Sequence, residues 1–343
     1  MAGMVGVTGA DGFIGSHLVE RLVADGHRVR ALAQYNSLGS WGWLDSLDRD
    51  VLAEVEVVSG DVRDPACARE IVKDAEVVYH LAALIAIPYS YRAPRSYVET
   101  NVIGTVNVLE AVREAGTPRM VHTSTSETYG TARTVPISES HPQQTQSPYA
   151  ASKLAADKFV ESYHDSFEVP AVTLRPFNTF GPRQSARAVI PTVISQLAAG
   201  ADEIRLGALT PTRDFTFVAD TVSAFVTVGT APADKVVGKL FNAGTGGEIS
   251  VGDLVTQITE LMGRPVPVRE ETQRLRPDNS EVMRLVCDSS KLREATGWAP
   301  QHSSPTASRS PSTGSAIRPT WPVTAPAATR SEPRDTRRFP CTP

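Results

Sequence analysis

At 343 residues, with 41% hydrophobic and 21% charged side chains, the chain exceeds one average domain and can bury a sizeable core. Its formal net charge is -4 and no Lys/Arg-rich block interrupts the first 300 residues, which argues against nucleic acid or an anionic membrane as partner and for small-molecule chemistry. Three scattered cysteines, Cys67, Cys287 and Cys341, argue against a disulfide framework or a metal cluster and leave a reducing cytoplasm as the expected compartment.

Residues Met1 to Met4 carry neither a charged leader nor an apolar signal stretch, so secretion and membrane insertion are not expected. The apolar run from Met4 to Val7, the glycines after it and the periodic Ile14, Leu18 and Leu22 predict a strand, a tight turn and a helix, with the next strand at Val29 to Leu32. A dinucleotide pyrophosphate needs backbone N–H groups and a helix N-terminus close to its oxygens, which residues without a Cβ permit. Gly9, Gly12 and Gly15, two residues apart in each pair and enclosing Phe13 and Ile14, supply that, and their place between first strand and first helix predicts a Rossmann-type site. After the second strand an acid for the adenosine ribose is expected, but the chain reads Gln34-Tyr35-Asn36-Ser37. That leaves NAD against NADP open, with NAD favoured because no arginine follows the strand. Asp61, followed by Val62, reads equally as an adenine contact or as the cap of a helix beginning near Asp64.

Further strands at Val55–Val58, Val77–Leu81, Met120–Thr123 and Ala171–Leu174 alternate with helices at Cys67–Val72, Val102–Val112 and Tyr149–His164. Such alternation predicts a doubly wound α/β fold, a parallel sheet covered on both faces. Residues 1–177 read as the dinucleotide-binding domain with the Tyr149 helix. Residues 178–300, with amphipathic stretches at Ile190–Ala199 and Val251–Met262, read as a smaller α/β substrate lobe, allowing the chain to cross between the two. Residues 301–343 hold eight prolines, seven serines, seven threonines and six arginines without periodicity, and read as disordered. Their arginines, against Glu332 and Asp335, give this tail +4 and leave -8 on the body.

Tyr149-Ala-Ala-Ser-Lys153 sets a phenol and an ammonium on one helix face, where the ammonium favours phenolate and hence a general base. In isolation such a pair is more often a surface pair. Upstream, Thr123-Ser-Thr125-Ser126-Glu127-Thr-Tyr129-Gly130 ends a parallel strand with hydroxyls and a carboxylate, at the sheet edge where ligands bind. A capping or surface-pairing Glu127 is the bland alternative. His80 at a strand end reads as a packed histidine, Trp41 and Trp43 as loop packing, and Cys67 and Cys287 as core fillers.

Taken together, Thr8-Gly9-x-x-Gly12-x-x-Gly15, His80-Leu81-Ala82-Ala83, Thr125-Ser126-Glu127-x-Tyr-Gly130, Tyr149-x-x-x-Lys153 and Arg175-Pro-Phe-Asn178-x-x-Gly-Pro-Arg183 resemble the extended short-chain dehydrogenase/reductases acting on nucleotide sugars, over about residues 4 to 300. The resemblance implies that Tyr149 deprotonates the hydroxyl at sugar carbon 4 as hydride passes to the nicotinamide, Thr125 helping to hold that oxygen. It implies further that Glu127 is the carbon 5 base of a 4,6-dehydratase, giving a 4-keto-6-deoxy sugar. Ser126 stands where many dehydratases carry an aspartic acid, a feature shared with GDP-mannose dehydratases and UDP-glucuronate decarboxylases; 4-epimerases usually lack the glutamate. Asn178, Arg213 and Arg276 fall where the family binds the nucleotide diphosphate, and Arg187 is a fourth candidate; a solvated-loop role is the alternative for these arginines. Tyr35-Asn-Ser37, Ser40-Trp-Gly-Trp43 and the Ser185 to Pro191 stretch look most like the N-acetylhexosamine 4,6-dehydratases of legionaminic-acid-type pathways, acting on UDP- or GDP-linked N-acetylglucosamine. A homodimer through a two-helix seam is implied, with core packing as the other account of the Val102–Val112 stripe. A non-catalytic NAD(P) sensor is the reading of another class; retention of Thr125, Tyr149 and Lys153 together argues against it. Relatives continue past Gly297-Trp-Ala-Pro300 with a helix closing the substrate lobe. A reading-frame shift in a GC-rich gene would replace that helix with such a tail, and resequencing the 3′ end tests this.

Overall fold

The computed structural model describes residues 3–271 and 277–302. Seven strands form one sheet in the order β11-β6-β5-β4-β1-β2-β3, every neighbouring pair parallel. They are β1 (Met4–Thr8), β2 (Arg28–Gln34), β3 (Val55–Gly60), β4 (Ala75–His80), β5 (Met120–Thr123), β6 (Ala171–Pro176) and β11 (Leu240–Ala243). Parallel strands need crossover helices, which cover both faces, so the strands read as apolar runs rather than alternating ones. On one face Leu18, Val19 and Leu22 of the Phe13–Ala24 helix and Val222, Phe225 and Val228 of the Val218–Thr230 helix pack on Val5, Val7, Val29 and Val172. On the other, Ile71 and Val72 of the Pro65–Val72 helix, Val108, Leu109 and Val112 of the Gly104–Ala115 helix and Val160 of the Pro148–Phe167 helix pack on Leu32, Val58, Val78 and Met120. The doubly wound Rossmann architecture expected from the alternation is the one observed.

Strand order reverses beside β1, whose neighbours are β2 and β4, so the two halves of the sheet diverge at its carboxyl edge and open a crevice there. The turn after β1, the loop after β4 and the Ser126–Tyr129 turn after β5 all end at that edge.

After residue 178 the chain builds short paired strands: β7 (Asn178–Phe180) with β10 (Phe215–Phe217), β8 (Ile204–Leu206) with β13 (Val268–Glu270), and β9 (Thr212–Arg213) between β12 (Ile249–Ser250) and β14 (Arg284–Leu285). It also returns to the large sheet, through the Val218–Thr230 helix and β11. The helix expected over Val102–Val112 continues one that begins at Pro94 and passes through a π-helical turn over Val98–Ile103. Past Pro300, the backbone N–H groups of Gln301 and His302 donate to Asp220 at 2.8 and 3.0 Å. The remainder of the expected tail, residues 303–343, lies outside the described residues.

Candidate active site

Thr8, the last residue of β1, ties the first turn to β4: its hydroxyl accepts the N–H groups of Leu81 and Ala82, both at 3.1 Å, and meets His80 Nδ1 at 2.8 Å. Gly9 follows with φ +66°, and a Cβ there would lie 2.7 Å from the Ala82 nitrogen. A Cβ on Gly15 would lie 2.1 Å from the Gly9 carbonyl oxygen; on Gly12, 3.2 Å from the same oxygen. Gly12 is the N-cap of the Phe13–Ala24 helix and brings no side chain to its orphan N–H groups. An uncapped helix start in a cradle that a Cβ would fill suits a dinucleotide pyrophosphate. Phe13 and Ile14 occupy the first helical turn, Phe13 edge-on to His17.

The rest of the expected cofactor set is distributed around this turn. Leu81, Ala82 and Ala83 form the loop after β4, held from behind by Asn101, which receives the Leu84 N–H at 2.8 Å and donates to the Leu84 carbonyl and to Ser152. Asn101 lies in the π-helical turn, a device that re-aims side chains and recurs at functional sites. Asp61 is not a helix cap: Asp64 caps the Pro65–Val72 helix by accepting the Ala66 N–H, while Asp61 binds Arg63 at 3.0 and 2.6 Å. The Arg63 hydrogen bond holds the Asp61 carboxyl below the usual carboxylate range. Val62 packs against the Gly104 backbone, where a Cβ would lie 2.8 Å from its Cγ1. Tyr35 and Ser37 are exposed, and Trp41 and Trp43, expected to pack a loop, remain 39% and 43% exposed. Asn36 turns inward on its own loop, with its side chain bonded to Gln34, Leu38 and Ser40. His80 is buried, with its second ring nitrogen 3.0 Å from Thr105 Oγ1.

Thr125 caps the short 3-10 turn Ser126–Tyr129 by accepting the Glu127 N–H at 3.3 Å. This turn buries Ser126 and Glu127, 3% and 9% exposed, where a surface-pairing glutamate would be open to water. Gly130 then leaves at φ +65°, its Cα facing the Gln144 carbonyl so closely that a Cβ would lie 2.1 Å from it. Ser147 caps the Pro148–Phe167 helix, and Pro148 at its first turn pre-sets the backbone, so Tyr149 and Lys153 leave one face of its start.

Burial raises the Tyr149 phenol above the ordinary tyrosine range, and Glu127 adds to this; a hydrogen bond from Thr125 opposes it. Thr125 and Glu127 thus act on the Tyr149 phenol in opposite directions. Burial lowers the Lys153 ammonium to about 8, with Asp157 opposing. Tyr97 stands edge-on to Tyr149, ring centroids 6.3 Å apart, in a buried cluster with Ile87.

Behind these groups lies a buried polar network that sequence reasoning missed. Asp157 accepts from Ser124 Oγ at 2.6 Å and Arg175 Nη2 at 2.6 Å, and pairs with His122 at 3.2 Å. Burial alone would raise the Asp157 carboxyl, but the Arg175 charge and these hydrogen bonds hold it far below the usual range. Arg175 also lies over the Tyr129 ring at 4.5 Å. Of its members Asp157 alone carried a signal in the sequence, four residues beyond Lys153 on the helix that bears Tyr149.

The four expected diphosphate ligands have different surroundings. Asn178 begins β7, and its buried Oδ1 has no hydrogen-bond partner among the described residues. Arg213 is buried on β9, donating to the Thr212 carbonyl at 2.9 Å and pairing with Glu281 at 3.3 Å. Arg187 is exposed, and its charge reaches the Tyr97 hydroxyl. Arg276 lies outside the described residues. Arg183 forks onto Glu20 at 2.7 and 2.9 Å, tying the Gly181-Pro-Arg183 segment to the helix that starts at the glycine turn.

The family model described as GDP-mannose 4,6 dehydratase matches residues 7–309. A UDP-glucose 4-epimerase of Mycolicibacterium smegmatis is 37% identical over 300 residues, covering 86% of this chain and 93% of the relative. A dTDP-glucose 4,6-dehydratase of Xanthomonas campestris pv. campestris is 32% identical over 318 residues, covering 86% and 88%. The crystal structure of DesIV, a dTDP-glucose 4,6-dehydratase from Streptomyces venezuelae with NAD and TYD bound, is similar with a TM-score of 0.79 at 28% identity, covering 88% of this chain and 92% of that one. A doubly wound sheet with the Thr125, Tyr149 and Lys153 constellation at its switch point and these relatives along its length have one account: the chain belongs to the GDP-mannose 4,6 dehydratase family, within the NAD-dependent epimerase/dehydratase superfamily.

Proposed function

We propose that this protein is an NAD-dependent nucleotide-sugar 4,6-dehydratase acting on UDP- or GDP-linked N-acetylglucosamine. The observation that carries this reading is Glu127, a carboxylate buried on the turn that also presents Thr125 and within electrostatic reach of the Tyr149 hydroxyl. Gly9, Gly12 and Gly15 would hold the pyrophosphate of NAD, with Tyr35, Val62 and Leu81 to Ala83 as further candidate contacts. Bound there, NAD would supply a hydride acceptor for carbon 4 and the same hydride for carbon 6.

The residues then divide the proton work. Tyr149 Oη takes the proton of the carbon 4 hydroxyl, whose oxygen Thr125 Oγ1 steadies. Lys153 favours the phenolate that accepts this proton. The resulting ketone acidifies carbon 5, from which the Glu127 carboxylate removes a proton. The carbon 6 hydroxyl departs as water with the proton held on Glu127, Ser126 Oγ hydrogen-bonded to it, and carbon 5 takes up one proton as hydride returns to carbon 6, balancing the one left on Tyr149. Asn178 and Arg213, with Arg187 and Arg276, hold the nucleotide diphosphate through charge-assisted bonds.

The 37% identical relative named UDP-glucose 4-epimerase favours a second reading, in which the 4-keto sugar is reduced from its other face. Mass spectrometry of purified protein incubated with UDP- and GDP-N-acetylglucosamine separates the two. Loss of one water is the expected result. A product of unchanged mass and altered retention identifies an epimerase, and carbon dioxide released from UDP-glucuronate a decarboxylase; either displaces the dehydratase reading.

A further inference from the structure

In Rossmann folds an acid at the end of the second strand ordinarily binds the adenosine ribose hydroxyls and repels the 2′-phosphate of NADP. The end of β2 here carries none, since Gln34, Tyr35, Asn36 and Ser37 are all neutral. Nor does the loop that follows supply a substitute. Asn36 has its amide nitrogen on the Gln34 and Ser40 carbonyls, at 3.3 and 2.8 Å, and its oxygen on the N–H groups of Leu38 and Ser40. The Asp45 carboxylate is turned onto the same loop, accepting Ser40 Oγ at 2.8 Å and the Trp41 N–H at 3.1 Å.

The carboxylate that does reach this place comes from the other side. Asp11, between Gly9 and Gly12 of the first turn, directs Oδ2 to the backbone N–H of Gln34 at 3.1 Å, so a negative group from the glycine turn stands at the last residue of β2. The loop after β2 is built around it: the Trp43 N–H donates to the Asp11 carbonyl at 3.0 Å, and Gly42 passes so close, at φ +60°, that a Cβ would lie 2.6 Å from that carbonyl and 3.2 Å from Asp11 Cβ. No lysine or arginine occurs between residues 31 and 48, so this segment offers no cation to the carboxylate or to a 2′-phosphate.

We propose that Asp11, from within the glycine-rich turn, supplies the carboxylate that reads the adenosine ribose in this protein and so selects NAD over NADP. The two hydroxyls of the ribose donate to a carboxylate, whereas a 2′-phosphate brings a like charge to it. Burial raises the Asp11 carboxyl and the Gln34 N–H lowers it, as befits an anion drawn partly out of water beside one backbone donor. The inference rests on the NAD dependence of the family and not on which reaction follows at the sugar.

The test is direct binding, with no nucleotide sugar present. NADH and NADPH are titrated by fluorescence against wild type, Asp11→Asn and Asp11→Ser. Asn keeps the volume and an acceptor for the Gln34 N–H, so a purely structural role survives in it while the charge is lost. In both variants the ratio of the NADPH Kd to the NADH Kd is expected to fall at least about tenfold, the scale of one charge-assisted hydrogen bond. A ratio unchanged within about twofold, including the case where both cofactors weaken together through damage to the turn, overturns the assignment. Because no sugar is turned over, a failure of the dehydratase reading leaves this measurement intact.

Discussion

Lys153 is a cation held where the fold would prefer none. Its ammonium titrates near 8 against an ordinary 10.5, with burial as the main cause. A base whose folded pKa is lowered binds fewer protons folded than unfolded between those values, so its destabilisation is complete below pH 8 and fades as pH rises toward 10.5. Lys153→Met, which keeps the stem and removes the charge, is therefore expected to be more stable than wild type at pH 7 by on the order of 3 kcal/mol, and inactive. Thermal unfolding of both proteins at pH 7 and pH 10 checks it: the gap should narrow at the higher pH, and a variant less stable at pH 7 would refute the account. Glu127→Gln tests the neighbouring role. It should bind NADH with wild-type affinity and lose elimination by at least about a hundredfold, the usual contribution of a positioned base. Equal turnover would remove Glu127 from the mechanism. Thr125, Glu127, Tyr149 and Lys153 could be singled out as candidates in the sequence because the chemistry proposed for them depends on residue type at a strand end or at helical spacing. The joining of Asp157 to His122 and Arg175 was not, since β5, β6 and the helix meet only in the folded sheet.

The glycine turn shows how one element divides work among like residues. Gly15 faces the Gly9 carbonyl with no room for a methyl, its Cβ position lying 2.1 Å from that oxygen and 2.9 Å from Ala10 Cα, so Gly15→Ala must displace the helix start from the turn. Gly12 has a single neighbour at 3.2 Å, which a few tenths of an ångström relieve. The expectation is that Gly15→Ala lowers the stability of the cofactor-free protein by about 1–3 kcal/mol, the range of overpacking, whereas Gly12→Ala unfolds near the wild-type temperature and weakens NADH binding. Differential scanning fluorimetry and NADH titration separate the two; indistinguishable melting temperatures would show that the close approach is not a constraint. The sequence disclosed the turn because Gly9 and Gly15 sit where only glycine fits. It did not disclose the π-helical turn at Val98–Ile103, whose residues suit an ordinary helix and from which Asn101 bonds Leu84 and Ser152. Strands of two or three residues such as β9 and β12 escaped as well, being too short to show a period.

At the scale of the molecule, the apolar side chains that the fold leaves uncovered are informative. The Gly104–Ala115 helix with its π-helical lead-in lies beside the Pro148–Phe167 helix, Tyr163 hydrogen-bonding Glu110 across them. On this pair Val98, Ile103 and Phe159 remain 49%, 47% and 42% exposed, while Val108, Leu109, Val112 and Val160 fill the core beneath. The stripe seen in the sequence thus served packing, and a second apolar set points outward from the same two helices. A homodimer joined by a two-helix seam from each copy would cover it. In an isologous interface each side chain counts twice, and a buried large apolar residue is worth about 1.5–3 kcal/mol, so Ile103→Asp or Phe159→Asp should weaken self-association by at least a hundredfold. Both positions are half-exposed in the single chain, so the variants should melt as folded proteins. Sedimentation velocity is expected to find wild type as a dimer and either variant as a monomer at micromolar concentration; a monomeric wild type, or dimers in all three, would place the seam elsewhere or nowhere.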